Sequence, residues 1–540
     1  NYAYERQRIN GSITKETEGA TLLNIDNLKD KTIYQDRIKL GTSYSYEKIE
    51  QGVLPQLYDV DRNELLPNQI DNKLPEEEKT ELEIEEVEAV KTAVDTVTMR
   101  IVLKNTMNRL ITKIEIEDME VKITNNINQN EKTYLNVVAT PTRYYDSYRI
   151  SKVSYEESGE IKEKEVEERV NVEFYKEIYS YEDWQTIEEN TYQNYRLMND
   201  IDFKDKSNIK TDLTIGKLEG NNHKLSNINL VLNSSNSGFI KTVKTILKDV
   251  TFENINITNT ASGIRTGIIA NTNATVSNIT LNNVIVDAPK LDQVGFIGRS
   301  TSESIENITM DTVKITGKSY VAGYAGSSVL PMLRTVEANN LTIVGNGDHV
   351  GGILSSPEKR NGYNMKYVTV QNSNITGKNN VGGIFGNLSG GATNPTQGQY
   401  LKIMNSSITG VSTVGGVAGE FFDSNSFEAY HITVKGSGSN IGGIVAKGNL
   451  SNNIIEDSII EGISSNSNNV GGVIGAPSWG GGNNRAINCT VSSKGNNVGG
   501  IFGYYNHSGN GGIEKNYVQG GSVTGNSNVG GIVGYSIKGY

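Results

Sequence analysis

Short runs in which apolar residues alternate with threonine, asparagine and serine fill the second half of this 540-residue chain. Residues 279–286 and 308–315 are two examples, with Ile, Leu, Met and Val spaced among polar residues. This alternation is typical of half-buried β-strands, and the spacing of an amphipathic helix is absent. The pattern therefore predicts an all-β second half built from short strands.

A glycine-centred apolar unit, V-G-G-[IV]-x-G in its clearest form, precedes these strands and recurs eleven times. Successive copies are separated by 27 to 33 residues. Repeats of this length indicate a solenoid. The second position of the clearest copies is occupied by Gly295, Gly382, Gly415, Gly442, Gly471, Gly499 and Gly530.

Two or three short strands in each interval of about 29 residues describe one coil of a parallel β-helix. We expect a right-handed β-helix of about eleven coils, with Ile, Val and Phe filling its interior. Coils stacked ~4.8 Å apart would rise roughly 50 Å. The repeat glycines are expected at tight corners that require a positive φ or a close approach of two backbones.

Asparagine or aspartate recurs about 15–17 positions after the repeat glycine, and stacked amides at a corner can form a hydrogen-bonded ladder. We expect a structural role for these residues. The same pattern creates Asn-x-Ser/Thr sequences, which we interpret as a by-product of strand threonines and not as glycosylation acceptors. The predicted ladder residues are Asn254, Asn283, Asp311, Asn339, Asp457, Asn488 and Asn516, and the tripeptides begin at Asn256, Asn278, Asn307, Asn340 and Asn374.

The first half of the chain differs in charge and glycine content. Residues 1–235 hold 45 acidic and 31 basic residues with 7 glycines, whereas the remainder holds 17 and 20 with 50 glycines. Alternating apolar residues favour a small antiparallel β-sandwich in the first half. The predicted divisions are strands and loops over 1–74, an acidic linker over 75–95, the sandwich over 96–178, a cap and first coil over 179–235, and repeats over 236–540.

A short amphipathic helix is predicted where the repeats begin. Ser180 can cap its N-terminus, and Trp184 and Ile187 form an apolar stripe. We expect this helix to cover the first coil, because an open sheet edge invites aggregation. The chain begins at Asn1 without methionine and stops at Tyr540 inside the pattern, so we expect a segment of a longer protein.

Composition narrows the possible functions. The net charge of −11 argues against a nucleic-acid binder, which needs a basic face. No apolar run approaches the ~18 residues of a membrane helix. A single cysteine, Cys489, excludes a disulfide scaffold and a cysteine-based metal cluster.

Two acidic clusters are candidate calcium sites. Asp59 and Asp61 begin a calcium-loop-like string, but Glu64 stands where such a loop needs glycine. Asp200 and Asp202 alternate at the entry to the repeats, where a turn or cap role is favoured. We predict no metal, cofactor or catalytic residue in this segment.

Partner contacts are expected where the repeat bulges, because insertions form exposed loops. The longest interval contains an exposed stretch, 387–400, that ends at Tyr400, and Trp479 lies among glycines. Tyr504 and Tyr505 are further candidates. Each of these four residues is predicted either to contact a partner or to fold back over the coil edge.

The V-G-G-[IV]-x-G units, with the Tyr-Glu-Asp-Trp lead-in at 181–184, resemble the GLUG repeat of bacterial surface proteins. That repeat occurs in adhesins and in the non-catalytic N-terminal part of Gram-positive immunoglobulin-A-cleaving zinc metalloendopeptidases. The resemblance implies an extracellular segment, secreted or attached to the cell wall, that contacts a host or cell-surface protein or glycan.

Such proteases need an H-E-x-x-H zinc motif, and this segment departs from that pattern. None of its four histidines, at 223, 349, 431 and 507, is followed by glutamate. Zinc is therefore expected only if a catalytic domain follows. The leading hypothesis is that the segment is a spacer and protein-recognition surface. Two alternatives remain: a stand-alone adhesin or surface-fibre module, and a phage tail-spike or polysaccharide-degrading β-helix.

Overall fold

The computed structural model describes most of the repeat region and parts of the first half. The described residues are 2–4, 8–9, 12–13, 21–23, 44–45, 56–57, 83–93, 96–105, 109–116, 121–123, 126–128, 132–139, 147–171, 174–188 and 193–540, without 303, 330–331, 358–363, 389–396, 478–480, 507–512 and 538–540. The side chains of some of the first-half residues are not described.

Most of the described strand pairs in the first half are antiparallel, whereas the pair of Tyr2–Tyr4 with Thr21–Leu23 is parallel. A four-stranded sheet has the order Val121–Ile123, Leu110–Ile116, Ser147–Glu157 and Glu160–Asn171. Its core includes Ile111, Ile114 and Val153, which are all buried. Short pairs join Tyr2–Tyr4 to Thr21–Leu23, Arg8–Ile9 to Ser12–Ile13, and Tyr44–Ser45 to Gln56–Leu57.

A second ladder connects the first half to the solenoid. Glu83–Ala93 pairs antiparallel with Thr96–Lys104, which pairs with Lys132–Ala139. On its other side Glu83–Ala93 pairs parallel with Phe174–Ile178, which continues into the parallel stack. Residues 83–93 are thus a strand where the sequence predicts an acidic linker, because their Val and Ala residues support pairing despite the many glutamates.

A five-residue helix covers the start of the solenoid, as predicted, although it ends before Ile187, the second residue of the predicted apolar stripe. It spans Tyr181–Gln185, and the Ser180 hydroxyl accepts a hydrogen bond from the Asp183 amide at 3.2 Å. Trp184 and Ile187 are fully buried in the core of the solenoid. The cap therefore closes the first turn with apolar side chains.

The first turns combine short strands with strands of 13 to 23 residues that run through the corners. They are Asn194–Leu197, Ile201–Asp202, Leu213–Ser226, Asn229–Leu232, Ser237–Asn259, Thr266–Thr272, Thr275–Asp287 and Ser304–Gly317. Each pairs parallel with the strand one turn later, as Ile279 does with Ile308. The predicted parallel β-helix is confirmed, with about ten turns.

Later turns contain four short strands each, more than the two or three expected, and these build four parallel sheets. The glycine sheet contains Val321–Ala322, Val350–Gly351, Asn379–Gly382, Ser412–Gly415, Ile441–Gly442, Val470–Gly471, Asn496–Gly499 and Ser527–Gly530. The second sheet contains Ile297–Ser300, Ala325–Ser328, Leu354–Pro357, Phe385–Leu388, Ala418–Asn425, Val445–Ser451, Ile474–Pro477, Phe502–Tyr505 and Val533–Ser536.

The third and fourth sheets complete each turn. The third contains Met332–Asn339, Asn364–Gln371, Gln397–Met404, Phe427–Tyr430, Ile454–Glu456, Arg485–Ile487 and Tyr517–Gln519. The fourth contains Thr342–Gly345, Asn374–Thr376, Ser407–Gly410, Thr433–Gly436, Ile459–Gly462, Thr490–Ser493 and Ser522–Thr524.

The core is a set of aliphatic columns along the axis. In one column of the third sheet, Val370, Ile403 and Ala429 lie in register and are completely buried. Burying a valine or isoleucine side chain, as at Val370 and Ile403, contributes about 1.5–3 kcal/mol relative to leaving it exposed. The alternation of polar and apolar residues is what assigns each side chain to the interior or to solvent.

The repeat glycines permit a close approach of backbones in successive turns. A Cβ atom on Gly416 would lie 2.0 Å from the carbonyl oxygen of Gly443, and one on Gly443 would lie 2.0 Å from that of Gly472. The described glycines with positive φ lie outside the repeat unit, at Gly159, Gly263, Gly448, Gly520 and Gly521. Of the two expected reasons for glycine, close approach is correct for these units and positive φ is wrong.

Asparagine occupies many of the left-handed corner positions instead. Asn254 and Asn283 have φ of 55° and 53°, and the Asn283 amide donates to the Asn254 side-chain oxygen at 2.9 Å. The same ladder links Asn339 to Asp311 at 2.7 Å and Asn488 to Asp457 at 3.2 Å. Asn516, also predicted in this ladder, instead donates to the carbonyl oxygens of residues 481 and 513.

Candidate recognition surface

A stacked pair of tyrosines projects from one corner of the third sheet. Tyr367 and Tyr400 are opposite each other in successive turns, because their neighbours Val368 and Leu401 are paired. Their ring centroids are 5.2 Å apart and the ring planes differ by 2°. The two side chains remain 56% and 57% exposed despite this contact. We call this pair the tyrosine stack.

The backbone at both tyrosines is left-handed, with φ of 59° and 57°. Such a conformation costs a bulky L-residue about 1–3 kcal/mol, whereas asparagine tolerates it. Earlier turns place Asn278 and Asn307 at the same corner, where an amide hydrogen bond of 3.0 Å joins them. The tyrosine stack thus replaces a favourable amide ladder with rings that contribute nothing to the core.

Charged and polar groups lie beside the tyrosine stack. Lys402 is paired with Glu428 in the next turn, and the ammonium nitrogen is 4.0 Å from a carboxylate oxygen. The same nitrogen lies 4.9 Å from the centroid of the Tyr430 ring. Tyr430 donates to the Glu428 carboxylate at 3.3 Å. Burial, together with the Glu428 charge, raises the pKa of the Tyr430 hydroxyl.

The other predicted contact residues are placed differently. Tyr504 is partly exposed and stacks on Tyr535 with centroids 5.7 Å apart. Tyr505 is 2% exposed, because it is the inward neighbour in the same strand, so its ring is unavailable to a partner. Trp479 lies outside the described residues. Among the three described candidates, Tyr400 is the most exposed and forms part of the tyrosine stack.

Sequence reasoning missed Tyr367, the partner of Tyr400. The signal was present, because the two residues are 33 positions apart and the repeat glycines that follow them, Gly382 and Gly415, are also 33 positions apart. Aligning the units by register, instead of searching for bulges, would have brought the two rings together.

A second aromatic pair lies at the corner that precedes the glycine sheet. Tyr320 stacks on His349 with centroids 4.7 Å apart, and both residues have positive φ. Burial lowers the pKa of His349, and the nearby Asp348 and Glu420 charges oppose that effect. Tyr320 is 37% exposed, so this pair presents less aromatic surface than the tyrosine stack.

Of the two candidate calcium sites, one lies outside the described residues and the other lies within them. Asp59 and Asp61 lie outside the described residues. Asp200 contacts His223 and the Lys224 amide, both at 3.1 Å. Hydrogen bonds from the Asn227 amide and the Lys204 backbone lower the pKa of Asp202. The contact of Asp202 with the Lys204 backbone is the turn role that the sequence favoured, and the contact with Asn227 links it to the next turn.

A buried carboxylate ties the first half to the solenoid. Glu219 is 6% exposed and accepts hydrogen bonds from the Tyr175 hydroxyl at 2.6 Å and from Arg196 at 2.8 and 2.9 Å. Lys248 lies 3.0 Å away on the next turn. Burial by itself would raise the Glu219 pKa, but these donors outweigh it and the pKa is lowered. The cluster is structural, with every group engaged inside the junction.

The described residues contain no group of three or more side chains suited to hold a metal ion. None of their helices has the length and apolar character of a membrane span. In comparisons with known proteins, neither a family model, nor a curated protein, nor a solved structure matches this chain.

Proposed function

We propose that this chain is an extracellular bacterial segment that serves as a spacer and a protein-recognition surface. The proposal extends to its place in a longer protein, as the non-catalytic part of an immunoglobulin-protease-like zinc endopeptidase. The GLUG-like repeats support the place in such an endopeptidase through resemblance alone. The β-helix supports the role as spacer and recognition surface, since repeat solenoids offer extended surfaces for partners.

The tyrosine stack is the observation that carries the recognition role. An exposed aromatic pair held in a left-handed backbone costs stability that the asparagines of earlier turns do not cost. Strain of this kind is concentrated at functional sites. Tyrosine is also enriched among the residues that dominate binding energy at protein interfaces. We therefore assign the protein contact to Tyr367, Tyr400 and the adjacent ion pair of Lys402 and Glu428.

Immunoglobulin A is the first partner to test, because the resemblance points to immunoglobulin-cleaving enzymes. We would immobilise the 540-residue chain and measure binding of immunoglobulin A before and after enzymatic removal of its glycans. Binding that survives glycan removal is expected for a protein contact. The double variant Tyr367→Asn/Tyr400→Asn should weaken it by at least about tenfold, since two aromatic anchors are lost.

Tyr320→Asn is the matched control for that measurement. It removes an exposed tyrosine with the same left-handed backbone from a different corner, and it should leave the affinity within about twofold of the parent chain. The proposal is wrong for this partner if immunoglobulin A does not bind, or if the control and the double variant weaken binding equally.

A further inference from the structure

Each tyrosine of the stack has one ring face that its partner does not cover. Register places Thr335 next to Tyr367 on one side and Ser426 next to Tyr400 on the other. Both neighbours are too small to cover a phenol ring. The exposed fractions of 56% and 57% agree with rings that are covered on one face only. The stack therefore ends in open aromatic faces.

The spacing of the solenoid leaves room for one more ring above Tyr400. Successive turns are ~4.8 Å apart, and the two tyrosine rings are 5.2 Å apart. A ring that stacks on the open face of Tyr400 would lie level with Ser426. Because serine has no bulky side chain, this corner position can hold a ligand ring at the distance that an aromatic neighbour would take.

The groups at that level suit a ligand with hydroxyl groups. Glu428 is two residues beyond Ser426, and its carboxylate accepts hydrogen bonds. Lys402 lies two residues beyond Tyr400 and supplies ammonium donors. The two side chains are 38% and 40% exposed, so both can reach a ligand as well as each other. A proline ring would stack but would leave this donor and acceptor unused.

We infer that the open face of Tyr400 binds a pyranose ring, with Lys402 and Glu428 hydrogen-bonding its hydroxyl groups. The C–H groups of a sugar face pack on the aromatic ring, and the hydroxyls at the ring edge reach the ion pair. The ligand class is a neutral glycan, which would occupy the open face of Tyr400 in competition with the protein contact assigned above. This inference rests on the proposed function, because it assigns the sugar to the same recognition surface.

Saturation-transfer NMR with lactose and cellobiose tests the inference on the full 540-residue chain. We expect saturation of the sugar C–H protons by at least one disaccharide, and an affinity at least about tenfold weaker in Tyr400→Asn. Asparagine suits a positive φ, so this variant retains the fold. Tyr400→Phe keeps the ring and should remain within about twofold, as should Tyr320→Asn.

The outcomes separate this inference from the proposed function. No transfer to either sugar, or transfer that Tyr400→Asn leaves unchanged, overturns the sugar site while binding of deglycosylated immunoglobulin A still stands. Sugar binding that depends on Tyr400, with no immunoglobulin bound, supports the sugar site and removes the protein partner. Equal loss in Tyr400→Asn and Tyr320→Asn also overturns the sugar site.

Discussion

Trp184 and Phe239 stack face to face, with ring centroids 4.6 Å apart and ring planes 6° from parallel. Phe203 meets both rings edge-on at 5.8 and 5.5 Å. The Trp184 indole nitrogen donates to the Lys210 carbonyl oxygen at 3.2 Å. This aromatic cluster joins the capping helix to the first turns and protects the edge of the stack.

Replacing Trp184 with alanine should destabilise the first turns by about 3–5 kcal/mol, because a large buried ring leaves a cavity. Urea unfolding followed by circular dichroism measures the change. Val231→Ala is the control, since Val231 is 77% exposed in the same turns and should change stability by less than about 0.5 kcal/mol. Similar losses in the two variants would contradict the capping role.

Glu219→Gln should destabilise the junction by up to about 3–5 kcal/mol at neutral pH, because it leaves Arg196 and Lys248 without their carboxylate. The folded-state pKa of Glu219 is lowered. Its stabilisation is therefore complete above the unfolded-state pKa of about 4.3, and is lost as the pH falls through the lower folded-state pKa.

Urea midpoints of the parent chain and Glu219→Gln between pH 7 and pH 2 check this prediction. The difference between the two proteins should be largest at pH 7 and shrink below about pH 4.3. A difference that grows on acidification would show that the carboxylate is not the stabilising form.

Gly416→Ala should destabilise the solenoid by about 1–3 kcal/mol, since the added Cβ would lie 2.0 Å from the Gly443 carbonyl oxygen. Gly531→Ala is a matched control at the equivalent position of the last unit, where nothing lies within 4 Å of the added atom. Thermal unfolding of both variants should show a loss for Gly416→Ala alone. Equal losses would mean that contact between turns is not why glycine is required.

Asn469 has two structural roles at one corner, because it adopts a left-handed backbone conformation and also continues the ladder of amide hydrogen bonds. It has φ of 61°, donates to Asn440 at 2.9 Å and accepts from Asn497 at 2.9 Å. Asn469→Ala should cost about 1–3 kcal/mol, whereas Asn469→Gly should cost less because glycine keeps the left-handed backbone. Chemical unfolding of the two variants separates backbone strain from the amide ladder. A glycine variant as unstable as the alanine variant would assign the whole effect to hydrogen bonding.

Cys489 should react slowly with alkylating reagents in the folded chain. Its thiol is 5% exposed, and burial raises its pKa to about 11. At pH 8 only about one thiol in a thousand would be ionised, and the thiolate is the reactive form. Iodoacetamide labelling followed by mass spectrometry should be much faster in urea than in buffer. Equal rates would show that the Cys489 position is open to solvent.

The repeat was predictable because its evidence is local and is copied eleven times. If each interval forms one turn, equivalent residues such as Val381 and Val414 lie side by side in successive turns. The pairing of their strands confirms this arrangement. The reason for glycine could not be decided from sequence, because φ and backbone approach are properties of the folded turn. The strand at 83–93 was missed because glutamates in a strand and in a linker have the same sequence pattern.

The candidate surface was only partly predictable. Tyr400 was predicted because it ends the bulging stretch of the longest interval. Tyr505 was grouped with Tyr504, although the two-residue period of a strand turns adjacent side chains to opposite faces. That period places Tyr505 inside, where it is buried. Recognition of the Tyr367–Tyr400 contact required the register between turns, which varies with each loop length.

The direction of the ladder hydrogen bonds determines how this cylinder would respond to a pull. The backbone hydrogen bonds between successive turns lie along the axis. Tension between the two ends therefore acts on the hydrogen bonds of one turn at a time, and not on all the bonds of a sheet at once. A turn of about 29 residues that peels away lengthens the chain by roughly 100 Å, in place of the ~4.8 Å it occupies when wound. The segment would therefore behave as an extensible tether that yields in steps and rewinds when the load is released.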